Sequence, residues 1–195
     1  MDGRLRRYLE RLHAEGEAFD ARQPDRLLRR RNLEPDSAHL LWMLLLASDA
    51  RAIIEVGTSN GYSTLWWADA AARTSGHVVS LEVDSAAQAE ARRHLQSNGL
   101  DPYVDLACQD AGRYLAGLPE DSVDCLFLDA ERTQYPSWWP HPLRVLRPHG
   151  LLVIDNATSH PDEVRPFADL LRDSGQVECQ LVDIGKGELI CCKTS

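Results

Sequence analysis

The chain has 195 residues, 44% of them hydrophobic, and a formal net charge of −9 from 30 acidic and 21 basic side chains. That length supports one substantial core in a single domain spanning 1–195, and the acidic balance disfavours nucleic acid and anionic membrane surfaces as partners. No apolar run approaches the ~20 residues that cross a bilayer, and residues 1–8 lack the apolar centre of a signal peptide, so the expectation is a cytoplasmic protein with small-molecule partners.

In chain order, apolar residues recur at helical spacing from Leu5 to Ala21 and from Asp36 to Ser48, with Pro35 and Asp36 where a helix starts. Residues 1–50 are therefore read as leading helices. Ala52–Val56 is then a short apolar run ending at Gly57, followed by a helical segment over 63–72. The same rhythm returns three times: Val78–Val83 with 86–97, Val104–Ala107 with 111–117, and Val123–Leu128 with 135–146. Pro136, Pro140 and Pro142 interrupt the last of these helices. A fifth strand is Leu151–Ile154, with its helix over 162–173. Near-continuous apolar strands alternating with helices predict a doubly wound α/β fold whose mostly parallel sheet is covered on both faces. Val177–Ile184 and Glu188–Cys192 are too close together for a helical crossover and predict an antiparallel C-terminal hairpin.

Cys108, Cys125, Cys179, Cys191 and Cys192 form no Cys-x-x-Cys pair and lie mostly in apolar runs, so they read as small buried hydrophobes in a reducing compartment. Arginines 4, 6 and 7, then 26, 29, 30 and 31, cluster on segments read as helical. A solvated helix face is the plain reading of that cluster, and an RNA footprint the alternative.

In open sheets of this kind ligands sit beyond the carboxyl ends of the strands. Those ends are polar here: Glu55 to Ser63, Glu82-Val83-Asp84, Gln109-Asp110-Ala111, Asp129 to Arg132, and Asp155-Asn156. Any one of them is ordinary turn and cap chemistry; five at one edge point to a site. Gly57 and Gly61 let the backbone approach a ligand while the next helix offers free amides at its start. The Gly-x-x-x-Gly spacing fails the dinucleotide pattern, which counts against a nicotinamide dehydrogenase. It suits an amino-acid carboxylate instead, and Glu82 is placed to accept hydrogen bonds from two ribose hydroxyls.

Taken in order, Glu55-Val-Gly-Thr-Ser-Asn-Gly-Tyr-Ser63, Leu81-Glu-Val-Asp84, Phe127-Leu-Asp-Ala-Glu-Arg132 with Tyr135, and Val153-Ile-Asp-Asn156 resemble one family. It is the divalent-metal-dependent S-adenosylmethionine O-methyltransferases, which include catechol and caffeoyl-coenzyme A O-methyltransferases and small bacterial relatives. The likeness runs from Glu34 to Lys193, and Ile184-Gly-Lys-Gly-Glu188 resembles the bacterial group. It implies a seven-stranded Rossmann-like methyltransferase sheet, a homodimer, and transfer of a methyl group to a hydroxyl of a small aromatic acceptor. The cofactor-binding positions implied are Glu55, Gly57, Thr58, Gly61, Ser63, Glu82, Val83, Asp110, Ala111 and Asp129, with Asp110 and Ala111 at the adenine. Asp129, Asp155 and Asn156 match the family's magnesium ligands, and oxygen donors of this kind suit Mg²⁺. The catalytic positions are Asp129 and Arg132.

Arg132 departs from the family, which carries a lysine there as its general base; a guanidinium stays protonated and instead attracts an ionised hydroxyl or grips a carboxylate. Glu131 and His160 are weaker candidates for a base. Tyr135, Trp138, Trp139, Trp66 and Trp67 read first as packing, with an acceptor pocket as the alternative. The rival functions are a cofactor-binding protein without transfer activity and an RNA-directed methyltransferase.

Overall fold

The structure, a computed structural model, describes residues 1–25 and 29–194; Arg26 lies outside the described residues. The chain opens with α1 (Gly3–Asp20), whose N-cap Asp2 accepts hydrogen bonds from the backbone of Arg4 and Leu5. Leu5, Leu9, Leu12 and Gly16 form its buried stripe, the spacing that places side chains on one helical face. Residues 29–34 form a strap that leads into α2 (Pro35–Ala47), which starts on Pro35 and buries Ser37, Ala38, Leu41 and Leu45.

The sheet follows as β1 (Ala52–Val56), α3 (Tyr62–Thr74), β2 (His77–Glu82), α4 (Ser85–Asn98), β3 (Val104–Cys108), α5 (Ala111–Gly117) and β4 (Val123–Leu128). After a 3-10 segment (Arg132–Trp138) come α6 (His141–Val145), β5 (Leu146–Ile154), α7 (Pro161–Asp173), β6 (Val177–Val182) and β7 (Glu188–Lys193). The seven strands lie in the order β3-β2-β1-β4-β5-β7-β6. Strands β1 to β5 are parallel, and β7 runs antiparallel to both β5 and β6. Chain direction across the sheet reverses between β1 and β4, the switch point where such folds open a crevice. One face is filled by Leu9, Leu41, Leu65, Trp67 and Phe127, the other by Leu126, Leu128, Tyr135, Leu152 and Phe167. Each such buried side chain contributes about 1.5–3 kcal/mol.

Two elements differ from the sequence expectation. The helix expected over 135–146 is broken into the 3-10 segment and α6 around the Trp139–Pro140 cis peptide, because Pro136, Pro140 and Pro142 remove the amides a continuous helix needs. Strand β5 begins at Leu146, not Leu151, and its pairing with β4 shifts register between Val123 and Cys125. Pro148, His149 with φ +66° and Gly150 lie inside it, and this break conceals the early part of the strand.

The cysteines also need correction. Cys179 and Cys191 stand opposite each other in the β6–β7 ladder, Cα atoms 4.0 Å apart, and are joined in a disulfide. Of the others Cys125 is buried, Cys192 half-buried and Cys108 exposed. The pairing was invisible in the spacing because it depends on cross-strand register. The arginines at 29–31 are not helical: they form the strap between α1 and α2.

Candidate active site

A cleft of about 830 Å³ lies along the carboxyl ends of β1, β2, β3 and β4. Its floor is the loop after β1. Gly57 has φ +106°, and a Cβ there would fall 2.1 Å from the carbonyl oxygen of Asp129; only glycine lets β1 and β4 end this close together. Gly61, φ +84°, caps α3 without a side-chain hydrogen bond, and a Cβ on it would meet Ala91 of α4 at 2.7 Å. It shapes the loop from behind and is not part of the cleft wall. Asn60 is 2% exposed, accepts from the Tyr62 amide through Oδ1, and leaves its Nδ2 without a partner. A buried open donor is what an anionic ligand end requires.

Glu55 holds this loop and is not a ligand contact. Its carboxylate is fully buried and accepts hydrogen bonds from Ser63 Oγ (2.5 Å), Thr64 Oγ1 (2.5 Å), Ser80 Oγ (2.5 Å) and Trp67 Nε1 (2.8 Å). Burial pushes its pKa up and these four donors oppose the shift. Glu55 ties β1 to the start of α3 and to β2, and it is not among the residues that line the cleft. Ser63 keeps its place on the cleft wall although its hydroxyl is turned to Glu55, and Thr58, also on the wall, shares a 2.6 Å hydrogen bond with Ser80.

At the end of β2, Glu82 faces the cleft with Val83 and Asp84. Its Oε1 accepts from the amides of Val83 (2.7 Å) and Asp84 (3.1 Å), and Oε2 from Ser59 (3.1 Å). Three backbone donors fix the carboxylate, whose remaining lone pairs are open to hydroxyl donors. Asp110 and Ala111 line the far end, where Asp110 also caps α5 by accepting from Arg113. Trp138 closes that end against Gly112, where a Cβ would come within 2.5 Å of its indole. Trp66, Trp67 and Tyr135 are core side chains instead, and the Tyr135 hydroxyl accepts from Ala130 N at 2.8 Å.

The other end of the cleft carries the acidic group. The Asn156 amide Nδ2 lies between two carboxylates, donating to Asp155 Oδ2 (2.5 Å) and Asp129 Oδ1 (3.3 Å), while the Asn156 backbone amide donates to Asp155 Oδ1 (2.6 Å). Asn156 takes φ +67°, a left-handed conformation that asparagine tolerates and that turns its side chain back towards β4. Asp129 and Asn156 face the cleft, and Asp155 sits behind them, 4% exposed. Burial raises the pKa of both aspartates; the Asp155 charge adds to the rise at Asp129, and the Asn156 amide opposes it at Asp155. Glu188 completes the cluster from β7, fully buried, with the Ser37 hydroxyl and Asp155 as its polar neighbours. Its pKa is raised first by burial and then by the Asp155 charge. Sequence reasoning missed Glu188, because nothing in a strand pattern marks a carboxylate that faces inward.

The donors fit a hard divalent cation: two carboxylates and an amide converge, and an amide nitrogen stands between acidic oxygens where positive charge is favoured. Among the described residues no group of three or more His, Cys, Asp and Glu is arranged to hold a metal ion, so the candidate set is Asp129, Asp155 and Asn156. Arg132 is on the cleft wall but committed, its Nε donating to Glu163 at 2.9 Å and its NH2 group lying 2.8 Å from the same oxygen. Glu131 and His160 are also on the wall.

The wall opposite the sheet was not foreseen. It is the strap, with Arg29, Arg30, Arg31, Asn32 and Leu33 all lining the cleft. Arg29, Arg30 and Arg31 thus line the cleft, while Arg4, Arg6 and Arg7 are exposed on α1.

Residues 9–193 match the family model for O-methyltransferase. A catechol O-methyltransferase of Niastella koreensis is 32% identical over 128 residues, 64% of this chain and 58% of that protein, so the match spans little more than half of its length. The O-methyltransferase TomG of Streptomyces achromogenes, involved in tomaymycin synthesis and solved with S-adenosylmethionine, is 25% identical with a TM-score of 0.74, over 86% of this chain and 83% of that one. The O-methyltransferase of Bacillus cereus, solved with S-adenosylhomocysteine, is 22% identical with a TM-score of 0.78, over 95% and 90% of the two chains, and shares the fold.

Proposed function

The chain belongs to the O-methyltransferase family, and from that premise we propose that it transfers the methyl group of S-adenosylmethionine to a hydroxyl of a small aromatic acceptor beside a divalent cation. The observation that carries this reading is the convergence of Asp129, Asp155 and Asn156 at one end of a cleft whose other end is fitted for a nucleoside.

S-adenosylmethionine supplies an electrophilic methyl carbon. The open Nδ2 of Asn60 is a donor for its carboxylate, Glu82 is an acceptor for its ribose hydroxyls, and Ala111 and Trp138 flank its adenine. Asp129 stands where the methionine part and the acceptor meet. Asp129, Asp155 and Asn156 are the residues to hold Mg²⁺, which when bound supplies positive charge that favours the ionised form of a nearby acceptor hydroxyl. The attacking oxygen forms its bond to the methyl carbon as the carbon–sulfur bond breaks, and the hydroxyl proton leaves to solvent. Arg132 takes no proton at any pH the protein survives; paired with Glu163, it orders the loop after β4 against α7. Holding both reactants in line is the main contribution of the protein, since orientation of this kind supplies about 7–11 kcal/mol in model reactions. The same reading keeps the protein in the cytoplasm and makes it a homodimer; among the described residues no helix is long and apolar enough to cross a membrane.

Calorimetric titration with S-adenosylhomocysteine tests the cofactor end of the cleft. The wild type is expected to bind, and Glu82→Ala to bind at least about tenfold more weakly, the cost of losing an acceptor for two hydroxyls. Equal affinity in the two proteins would remove Glu82 from the site.

A further inference from the structure

We infer that Arg29 and Arg31 form a subsite for a carboxylate at the mouth of the cleft, so that the acceptor is an acidic hydroxyaromatic. The inference rests on the transferase reading and adds the substrate class.

The strap that carries these residues is held on both sides. Asp20, at the end of α1, accepts from the backbone amides of Arg30 (2.7 Å) and Arg31 (2.8 Å), and Ser59 of the glycine loop donates through Oγ to the Arg30 carbonyl (3.0 Å). The Arg30 guanidinium is already committed, 2.6 Å from Glu90 and stacked 4.6 Å over the Phe19 ring. Arg29 and Arg31 differ from it. Arg29 gives only its Nε, to the carbonyl of Gln23 at 2.9 Å, and among the described residues neither guanidinium is paired with a carboxylate. Both line the cleft. Arg31 holds φ +48°, a conformation uncommon for a side chain of its kind.

Charge elsewhere in the cleft sharpens the contrast. Arg132 and Lys186 also line it, but Glu163 and Glu34 neutralise them at 2.8 and 2.9 Å. Two unneutralised guanidiniums thus remain at the mouth of a cleft in a chain of net charge −9, which otherwise repels an anionic ligand. Two forks of N–H donors suit a planar carboxylate, gripped through paired charge-assisted hydrogen bonds. A carboxylate can come from the acceptor or from the amino-acid end of the cofactor. The acceptor is favoured because the buried, open Nδ2 of Asn60 already offers the cofactor carboxylate a donor.

The test is calorimetric binding to the wild type and to a double variant, Arg29→Gln with Arg31→Gln, at a half-buried and an exposed position, with an unchanged fold verified by an overlaid melting curve. In the presence of Mg²⁺ and S-adenosylhomocysteine, the wild type is expected to bind 3,4-dihydroxybenzoate about tenfold more tightly than catechol, and the double variant to bind the two alike. The cofactor arm compares S-adenosylhomocysteine with methylthioadenosine, which lacks the carboxylate. A selective loss of S-adenosylhomocysteine affinity in the variant supports the subsite and assigns it to the cofactor, overturning an acidic acceptor. Unchanged preference in both arms overturns the subsite and leaves the transferase reading standing. A wild type that binds neither adenosine compound overturns that reading, and the subsite with it.

Discussion

Glu188 is the residue whose environment most constrains the protein without its ligands. A buried carboxyl group is costly to ionise where two more carboxyls lie beside it, and the Ser37 hydroxyl offsets only part of that cost. Its pKa is raised from 4.5 to about 9, by burial first and the Asp155 charge second, and Asp129 and Asp155 are raised as well. Between those values the folded chain keeps a proton that the unfolded chain releases. The stabilisation is therefore complete below the ordinary carboxylate range and is lost as pH rises through about 9. Metal-free protein is expected to melt at a lower temperature at pH 9 than at pH 6, and Glu188→Gln to flatten that fall; equal slopes in the two proteins would contradict the assignment. Added Mg²⁺ should oppose the fall by balancing the carboxylates. The aspartates and Asn156 were legible in the sequence because they end strands. Glu188 was not, since only the β5–β7 pairing of Ile154 with Leu189 brings the start of β7 beside Asp155.

At the scale of elements, the β1–α3 turn controls the cleft. Gly57 permits β1 to pass against the Asp129 carbonyl, and Glu55 fastens the turn to α3 and β2 through four donors. Gly57→Ala places a methyl group where a backbone oxygen stands and imposes a left-handed conformation on alanine. The expected result is a loss of about 1–3 kcal/mol in a denaturation midpoint experiment, from strain alone, together with lost S-adenosylhomocysteine binding. Wild-type affinity in Gly57→Ala would show that the turn does not shape the site. Alternation of apolar strands with helices made the sheet readable from the chain, and the glycine spacing made the turn readable. The motif marks Glu55 but does not say whether its carboxylate faces the cleft or holds the loop. Only the burial of its carboxylate among Ser63, Thr64, Trp67 and Ser80 separates the two. The strap at 29–33 carries no strand or helix periodicity of its own, so nothing in the sequence announced it as a wall of the cleft.

Over the whole molecule, the parallel sheet reverses winding between β1 and β4, which opens the crevice that the glycine loop, Glu82 and the acidic cluster share. The antiparallel β7 then closes the side of β5 and delivers Glu188. Long-range charge acts at this scale too: a chain of −9 tolerates its buried acids best with a cation among them. The central claim is that Asp129, Asp155 and Asn156 hold the cation that transfer needs. The most direct measurement is methyl transfer from S-adenosylmethionine to 3,4-dihydroxybenzoate and catechol with Mg²⁺, with a chelator, and in Asp155→Ala. The account predicts transfer with Mg²⁺ and a loss of at least about a hundredfold both on chelation and in the variant, the size of effect expected when transition-state charge loses its partner. Transfer that proceeds at the full rate under chelation, or in Asp155→Ala with cofactor binding intact, would contradict it.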